Sequence, residues 1–229
     1  MFPVVQSGFP AFSARFEGRV AYMYLDILGL VTVGVGNLVD PVGAAQALPF
    51  RFRNKPGITA PGSPATPDQI AQEWQTLKNN SSLATKGYTA CEPLTQLELS
   101  DDAIDSLILA RLTQNESFLK RQPWFLGFDT WPADAQLGLL SMAWAMGPGG
   151  PGGFPNFRAA CQKLDFNTAA AECKMSEAGN PGLIPRNLAN FTLFSNAAIV
   201  LAGGPQSSLQ PATLYYPQAL TAADASPSA

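Results

Sequence analysis

The chain has 229 residues, of which 46% are hydrophobic and 14% charged, and its 17 acidic and 14 basic residues give a net charge of −3. It is too apolar for a disordered protein, and no lysine- or arginine-rich run interleaved with aromatics indicates nucleic-acid binding. The sequence contains no histidine, which excludes a Ser-His-Asp triad and a Cys-His nucleophile. Hydrolytic chemistry would therefore rest on carboxylates, hydroxyls, lysine or tyrosine.

The N-terminal stretch and the first apolar segment bear on localisation. Residues 1–16 lack a charged region followed by a long apolar one, so we expect no secretory signal. The most apolar segment, residues 25–35, is too short to span a bilayer and carries Asp26. We expect a protein made in the cytoplasm without a signal peptide and with no transmembrane segment.

The first elements in chain order are a helix, a turn and a strand. Apolar residues at three- and four-residue spacing predict a helix over residues 11–24. Residues 26–29 are turn-like, and the β-branched run 30–35, interrupted by Gly34, predicts a strand of a hairpin.

Residues 41–97 are rich in proline, glycine, alanine and serine. Within them, Thr66, Pro67 and Gln69 form a capping-box pattern that predicts a helix ending near Asn79. We interpret the rest of this region as surface loop.

The second half is predicted to be helical. Ser100 caps a helix that continues to Lys120, and the helix over residues 131–146 is apolar on nearly every side, which is typical of a central buried helix. Three more helices are predicted at residues 156–164, 167–175 and 184–201. The tail after Pro205 is predicted to be frayed.

Three cysteines, Cys91, Cys161 and Cys173, fit no zinc or thioredoxin pattern. Free buried thiols are the favoured interpretation, and a Cys161–Cys173 disulfide is the alternative. With no histidine and no cysteine motif, we expect neither a metal nor another cofactor.

The carboxylates near the N-terminus suggest glycoside hydrolysis, which needs one carboxyl group as an acid and a second to activate water or attack the sugar. Glu17 lies near the predicted helix end, Asp26 lies in the following turn, and the Thr32 hydroxyl is able to hold a water. The alternative is a solvated glutamate and an aspartate that caps its own turn. The segment GVGN, residues 34–37, lacks the third glycine and the helix of a nucleotide site.

The segment EGRVAYMYLDILGLVTVGVGN, residues 17–37, resembles the catalytic signature of phage T4-type lysozymes, glycoside hydrolase family 24. The matching positions are Glu17, Gly18, Tyr24, Asp26, Gly29, Thr32, Gly34 and Gly36. Residues 141–147, 153–173 and 182–194 resemble the helical lobe of that family. The resemblance covers about residues 10–40 and 98–200.

The resemblance implies an α+β, mostly α, two-lobed lysozyme-like fold with a small N-terminal β-hairpin element and a helical C-terminal lobe. The catalytic domain would span residues 1–201, with an N-terminal lobe at 1–97 and a helical lobe at 98–201. Residues 41–97 would be an insertion in the first lobe, and residues 202–229 an added tail.

The resemblance also implies roles for individual residues. Glu17 matches the general acid, Asp26 the second carboxylate, and Thr32 the hydroxyl that positions the attacking water. Gly36 matches a glycine that leaves room for the sugar.

Two positions in the helical lobe match residues near the family's cleft. Arg186 matches an arginine near the catalytic glutamate, with a surface charge as the alternative. Trp144 matches an aromatic residue near the cleft, with core packing as the alternative.

The implied activity is that of a muramidase, which hydrolyses the β-1,4 bond between N-acetylmuramic acid and N-acetylglucosamine with inversion. We expect a monomer that acts on peptidoglycan in the periplasm or cell wall of a target bacterium, or of the host cell if the protein is phage-derived. Two biological roles are open. The protein is an antibacterial effector, which a type VI apparatus delivers and an immunity protein or a carrier binds, or it is a phage endolysin. The rival from another class is a non-catalytic lysozyme-like module that binds cell-wall glycan or a partner protein.

Overall fold

A computed structural model describes residues 1–204 and 207–225 of the chain. The structure is α+β and mostly helical, with 55% helix and 8% strand, which confirms the predicted class at that level. The chain divides into two compact units. We call Glu17–Ala110 the hairpin unit, and Met1–Phe16 together with Arg111–Ala229 the helical unit. The domain limits drawn from the family resemblance stay a prediction.

The hairpin unit contains two small antiparallel sheets. Strands β1 (Val20–Leu25), β2 (Val31–Gly34) and β3 (Asn37–Leu38) form the first, in that order. Strands β4 (Arg51–Phe52) and β5 (Leu97–Glu98) form the second. The predicted hairpin strand at residues 30–35 is thus confirmed as β2.

The first helix differs from its prediction at both ends. Helix α1 spans Pro3–Glu17, not residues 11–24, and it contains Pro10. It ends where Gly18 takes a positive φ of 73°. The residues that follow, Val20–Leu25, pair with β2 as a strand. The aromatic and β-branched character of this stretch favoured pairing over helix, because its side chains pack well on a pleated surface.

The interpretation of residues 41–97, outside the predicted helix, as surface loop holds only in part, because most of these residues are exposed but several belong to short regular elements. Besides the predicted helix, the region contains α2 (Val42–Gln46), strand β4 and several 3-10 turns. Phe50 and Cys91 are fully buried in it. Proline and glycine mark turns between these short elements, and a single-sequence pattern does not show that the turns pack into a core.

Helix α3 (Pro67–Lys78) confirms the capping-box prediction. The Thr66 hydroxyl accepts a hydrogen bond from the Gln69 backbone N–H, and the Gln69 side chain accepts one from the Thr66 backbone N–H. Two backbone donors at the helix start are satisfied locally, which is why four residues of sequence were enough to locate it.

The remaining helices lie close to their predicted positions. They are α4 (Asp101–Leu119), α5 (Ala133–Met146), α6 (Pro155–Gln162), α7 (Phe166–Glu172) and α8 (Leu183–Gly203). Helix α5 is buried from Ala133 to Trp144, as its apolar character predicted. Gly138 on α5 lets α8 approach closely, because a Cβ there would come 2.9 Å from the Phe194 ring.

The prediction of a frayed tail is wrong for residues 207–225, while residues 205–206 and 226–229 lie outside the described residues. Leu209 and Leu220 are buried against Val200 of α8. The Asp134 carboxylate accepts hydrogen bonds from the backbone N–H groups of Tyr215 and Tyr216. The tail is therefore fixed by both apolar burial and a buried polar contact.

Cys91, Cys161 and Cys173 are free and buried, which confirms the favoured interpretation over a disulfide. Burial raises the pKa of the Cys173 thiol to about 12. Within residues 1–204 and 207–225, no helix has both the length and the apolar character needed to cross a membrane.

Candidate functional site

The candidate site is built on the β1–β2 hairpin of the hairpin unit. Tyr24 on β1 is the direct antiparallel partner of Thr32 on β2. Directly opposed residues of two strands point to the same face of the sheet, so these two side chains share a face. The Thr32 hydroxyl donates to the Leu30 carbonyl at 3.4 Å, and the residue is buried.

Asp26 occupies the tight turn that joins the two strands. Its Oδ1 accepts hydrogen bonds from the backbone N–H groups of Leu28, at 2.8 Å, and Leu30, at 2.9 Å. Among the described residues, none donates a hydrogen bond to Oδ2. The carboxylate is half-buried, so one oxygen is fixed by the turn and the other is open to a ligand or water.

Glu17 is the last residue of α1 and lies beside the β2–β3 turn. A Cβ at Gly36 would come 3.6 Å from Glu17 Oε2, and Gly36 has a positive φ of 70°. That backbone conformation favours glycine, and its consequence here is a close approach between the turn and the carboxylate. Asn37 supports the turn, since its Oδ1 accepts from the Val35 N–H at 3.3 Å.

The Tyr24 side chain lies within electrostatic reach of both predicted catalytic carboxylates, Glu17 and Asp26. Burial raises the pKa of Tyr24 to about 12, and the negative charges of Glu17 and Asp26 add to the rise. The phenol is therefore neutral at pH 7 and keeps its proton as a hydrogen-bond donor. The hairpin thus brings Glu17, Asp26 and Tyr24 together.

An ion pair holds the hairpin turn from the side of α3. Lys78 Nζ donates to the Gly29 carbonyl and to Asp40 Oδ2, each at 2.9 Å. The same contact with Lys78 keeps the pKa of Asp40 below its ordinary value. The turn that carries Asp26 is consequently tied to two charged residues outside it.

Trp144, a predicted substrate-binding residue, lies in the helical unit and is 2% exposed. Its ring packs against Phe9 at 5.0 Å, and the Arg111 guanidinium lies 4.2 Å from the ring centroid. Its indole N–H is buried and finds no acceptor among the described residues. A role for Trp144 in substrate binding stays a prediction.

Arg186 also belongs to the helical unit and is 1% exposed, so the alternative of a surface charge is wrong. Its guanidinium donates to the backbone and the hydroxyl of Ser141 at 3.4 Å and lies 4.6 Å from the centroid of the Phe16 ring. A buried arginine needs such partners, because an unpaired charge away from water is costly. Its predicted role near Glu17 stays a prediction.

The chemistry available to the hairpin is that of carboxylates and hydroxyls. Within the described ranges 1–204 and 207–225, no group of three or more histidine, cysteine or acidic side chains is arranged to hold a metal ion. Two carboxylates beside a glycine-bearing turn and a buried threonine are suited to acid–base catalysis.

Sequence reasoning missed one neighbour of the site, Tyr88. Its ring contacts the Tyr24 ring in a T-shaped arrangement, with centroids 6.0 Å apart and an interplanar angle of 63°. Tyr88 belongs to the region that was interpreted as surface loop, and no local motif surrounds it. Only the pairing of residues distant in sequence reveals it.

No protein-family model matches the chain, and no curated protein matches it. The likeness to the lysozymes of glycoside hydrolase family 24 therefore rests on the residues described above.

Proposed function

We propose that the chain is a peptidoglycan hydrolase, a muramidase that cleaves the β-1,4 bond between N-acetylmuramic acid and N-acetylglucosamine with inversion. The observation that carries the proposal is that Tyr24, the strand partner of Thr32 on the β1–β2 hairpin, is within electrostatic reach of both Asp26 in the hairpin turn and Glu17 at the end of α1. A two-lobed lysozyme-like architecture belongs to the same proposal.

In the proposed reaction, Glu17 gives its proton to the bridging oxygen as the bond from that oxygen to the anomeric carbon breaks. Asp26 takes a proton from a water held by Thr32, and the water oxygen forms the new bond to the anomeric carbon. Attack from the face opposite the leaving group inverts the configuration. Exchange of both protons with solvent then restores the two carboxyl groups.

The surroundings of the two carboxyl groups support different roles. Two backbone hydrogen bonds to Asp26 Oδ1 fix the position of the carboxylate, and Oδ2 has no donor among the described residues, so it is placed to accept a proton from a water. Glu17 lies beside the Gly36 turn, and the absence of a side chain at Gly36 leaves room next to Glu17 Oε2 for the leaving-group oxygen that an acid protonates.

One observation favours a second candidate, a non-catalytic module that binds cell-wall glycan or a partner protein. The two backbone hydrogen bonds of Asp26 Oδ1 are also those of an aspartate that only stabilises its own turn. The hairpin would then present a binding surface without chemistry.

Muropeptide release from purified peptidoglycan by the wild type and by Glu17→Gln tests the proposal. We expect release by the wild type and a loss of roughly 10²–10⁴-fold in Glu17→Gln, the usual contribution of a general acid. No release by a wild type whose circular dichroism shows it folded would favour the binding module. Equal release by both proteins would retain hydrolysis and remove Glu17 as its acid.

The stereochemistry of the product tests the role of Asp26. Attack by an activated water on a β-linked sugar gives the α-anomer, whereas a covalent intermediate on Asp26 would give the β-anomer. Proton NMR of the fresh product separates the two, and reducing-end analysis separates a muramidase from a glucosaminidase.

The biological setting we propose is lysis of a bacterial cell wall by a monomer, either as an antibacterial effector or as a phage endolysin. The substrate, peptidoglycan, lies in the periplasm or wall of the target cell. In the effector setting, a type VI apparatus would deliver the protein, and an immunity protein or a carrier would bind it.

A further inference from the structure

Part of the 41–97 region is fixed against strand β1. Cys91 is fully buried, and its sulfur accepts a hydrogen bond from the Leu25 N–H at 3.4 Å. The adjacent Glu92 forms an ion pair with Arg53 at 2.6 Å. The Arg53 guanidinium in turn lies 4.8 Å from the centroid of the Tyr22 ring on β1. The short segment from residue 88 to residue 92 is therefore anchored to the strand that leads to Asp26.

This anchoring holds Tyr88 at the edge of the candidate site. Tyr88 begins a 3-10 turn, Tyr88–Ala90, and its ring contacts Tyr24, the residue on which the charges of Glu17 and Asp26 act. Despite that contact, 45% of Tyr88 is exposed. In the described part of the chain, Phe191 is the other aromatic side chain that is similarly exposed, at 51%, and it lies on α8 in the helical unit.

A partly exposed aromatic ring in contact with Tyr24, the residue on which the charges of Glu17 and Asp26 act, is suited to a sugar ring. One face of a pyranose presents mostly C–H groups, which pack against the electron-rich face of an aromatic ring, while its hydroxyls reach polar neighbours. Tyr88 contacts Tyr24 in a T-shaped arrangement and still leaves 45% of the residue exposed. A rigid aromatic side chain also loses little conformational freedom on binding.

We propose that Tyr88 forms a glycan subsite that stacks an N-acetylated hexose of the peptidoglycan strand, next to the hairpin that carries Tyr24 and Asp26. The inference rests on the proposed muramidase function and gives the 41–97 region a role in substrate binding. Tyr88 acts by binding a sugar outside the reacting bond, so it contributes to affinity and takes no part in proton transfer.

Kinetics on soluble peptidoglycan fragments test the subsite. Removing an interaction that is equal in the ground and transition states raises KM and leaves kcat unchanged, so we expect Tyr88→Ala to raise KM about 10-fold with kcat preserved. Tyr88→Phe retains the ring and should match the wild type. Tyr88→Leu keeps apolar packing against Tyr24 but lacks a flat face, so it should behave like Tyr88→Ala, and it replaces that variant if Tyr88→Ala fails to fold.

Phe191→Ala is the matched control, because it removes an equally exposed aromatic ring from the helical unit, and both its constants should stay at the wild-type values. An unchanged KM in Tyr88→Ala and Tyr88→Leu would overturn the subsite while the muramidase proposal stands. A lower kcat with an unchanged KM would also overturn it, since the ring would then only support the hairpin.

A binding measurement separates failure of the subsite from failure of the enzyme proposal. Calorimetry measures the Kd of a β-1,4-linked N-acetylglucosamine tetrasaccharide for full-length Glu17→Gln with and without Tyr88→Ala. If the wild type releases no muropeptides, a Kd about 10-fold weaker without the ring still supports a glycan subsite. The same Kd in both proteins overturns it.

Discussion

Two aspartates in different parts of the molecule use their carboxylates in opposite ways. Asp134 on α5 is completely buried, and both of its oxygens accept hydrogen bonds, from Asn196 and from the backbone of Tyr215 and Tyr216. Asp26 in the hairpin turn is half-buried, and its hydrogen bonds from the described residues all go to Oδ1. The Asp134 carboxylate stabilises the fold through both oxygens, whereas Asp26 has one oxygen without a donor from the described residues.

The difference indicates what distinguishes a structural carboxylate from a candidate catalytic one. In a structural carboxylate both oxygens accept hydrogen bonds from the protein, whereas a catalytic one keeps an oxygen without a protein donor. Burial raises the pKa of Asp134, yet both of its oxygens already accept hydrogen bonds and the residue is completely buried, so neither oxygen is accessible to a substrate. A perturbed pKa is common at active sites but also arises in structural networks, so it does not identify a site by itself. Four substitutions test the distinction between structural and catalytic carboxylates, in order of decreasing expected effect.

Asp26→Asn should separate activity from stability. The asparagine Oδ1 retains both backbone hydrogen bonds of the turn, while the base is lost, so we expect muropeptide release to fall roughly 10²–10⁴-fold. The free energy of unfolding should change by less than about 0.5 kcal/mol. Release assays and urea unfolding measure the two quantities. A large loss of stability would instead show that Asp26, like Asp134, mainly stabilises the fold.

Glu73→Gln tests an acid that is buried like Asp134 but incompletely bonded. Glu73 Oε2 accepts from the Gln96 and Leu97 N–H groups, while Oε1 is buried and has no partner among the described residues. Burial raises the pKa of Glu73 from 4.5 to about 7, so the folded protein holds a proton there that the unfolded chain releases.

The free energy of unfolding that Glu73 contributes is therefore fully present below pH 4.5 and is lost as the pH rises to about 7. Glutamine mimics the protonated acid, so at pH 8 Glu73→Gln should be more stable than the wild type by about 3 kcal/mol. At pH 4 the two should be equal. Urea unfolding from pH 4 to pH 8 measures the difference in the free energy of unfolding between the two proteins. A difference that does not change with pH would show that Glu73 does not titrate in this range.

Asp134→Asn should lower stability without touching the hairpin. The amide replaces one acceptor by a donor, so a buried backbone N–H of the tail loses its partner at a cost of about 2 kcal/mol. Asp102→Asn, at the exposed start of α4, is the matched control and should leave the unfolding midpoint unchanged. Where the protein remains folded, release of muropeptides should equal that of the wild type. Unaltered stability would mean that the tail does not depend on Asp134.

Lys78→Met should have the smallest effect, because the pair with Asp40 is partly exposed. We expect a loss of about 0.5–1 kcal/mol at pH 7. The ion pair contributes above the ordinary pKa of Asp40, 3.8, and its contribution disappears as the pH falls through the lowered value in the folded protein. The stability gap between wild type and variant should therefore close in acid. A gap that persists there would assign the effect to packing of the lysine stem.

Helices with local signals could be predicted well. The capping box at Thr66, the serine before α4 and the apolar character of α5 each lie within a few residues of the element that they mark. The strand Val20–Leu25 was mistaken for helix because its apolar spacing fits both periods, and only pairing with β2 decides between them.

The candidate site was predictable in part for the same reason. Glu17, Asp26 and Thr32 lie within one short signature, so the sequence indicated these three residues together with the turn and the second strand of the hairpin. Tyr88 was not, because its contact with Tyr24 depends on how the 41–97 region folds back onto β1 through Cys91 and Arg53. Contacts between distant residues leave no pattern in a local window.

The sequence by itself determined the helical class and the capped helices, and its lack of histidine excluded every catalytic arrangement that needs an imidazole. These properties depend on residue type and on hydrogen bonds between near neighbours. The tertiary structure decided which carboxylates accept hydrogen bonds through both oxygens, as Asp134 does, and which have an oxygen without a donor from the described residues, as Asp26 does. That distinction depends on backbone groups brought together from separate elements, which is a property of the folded chain alone.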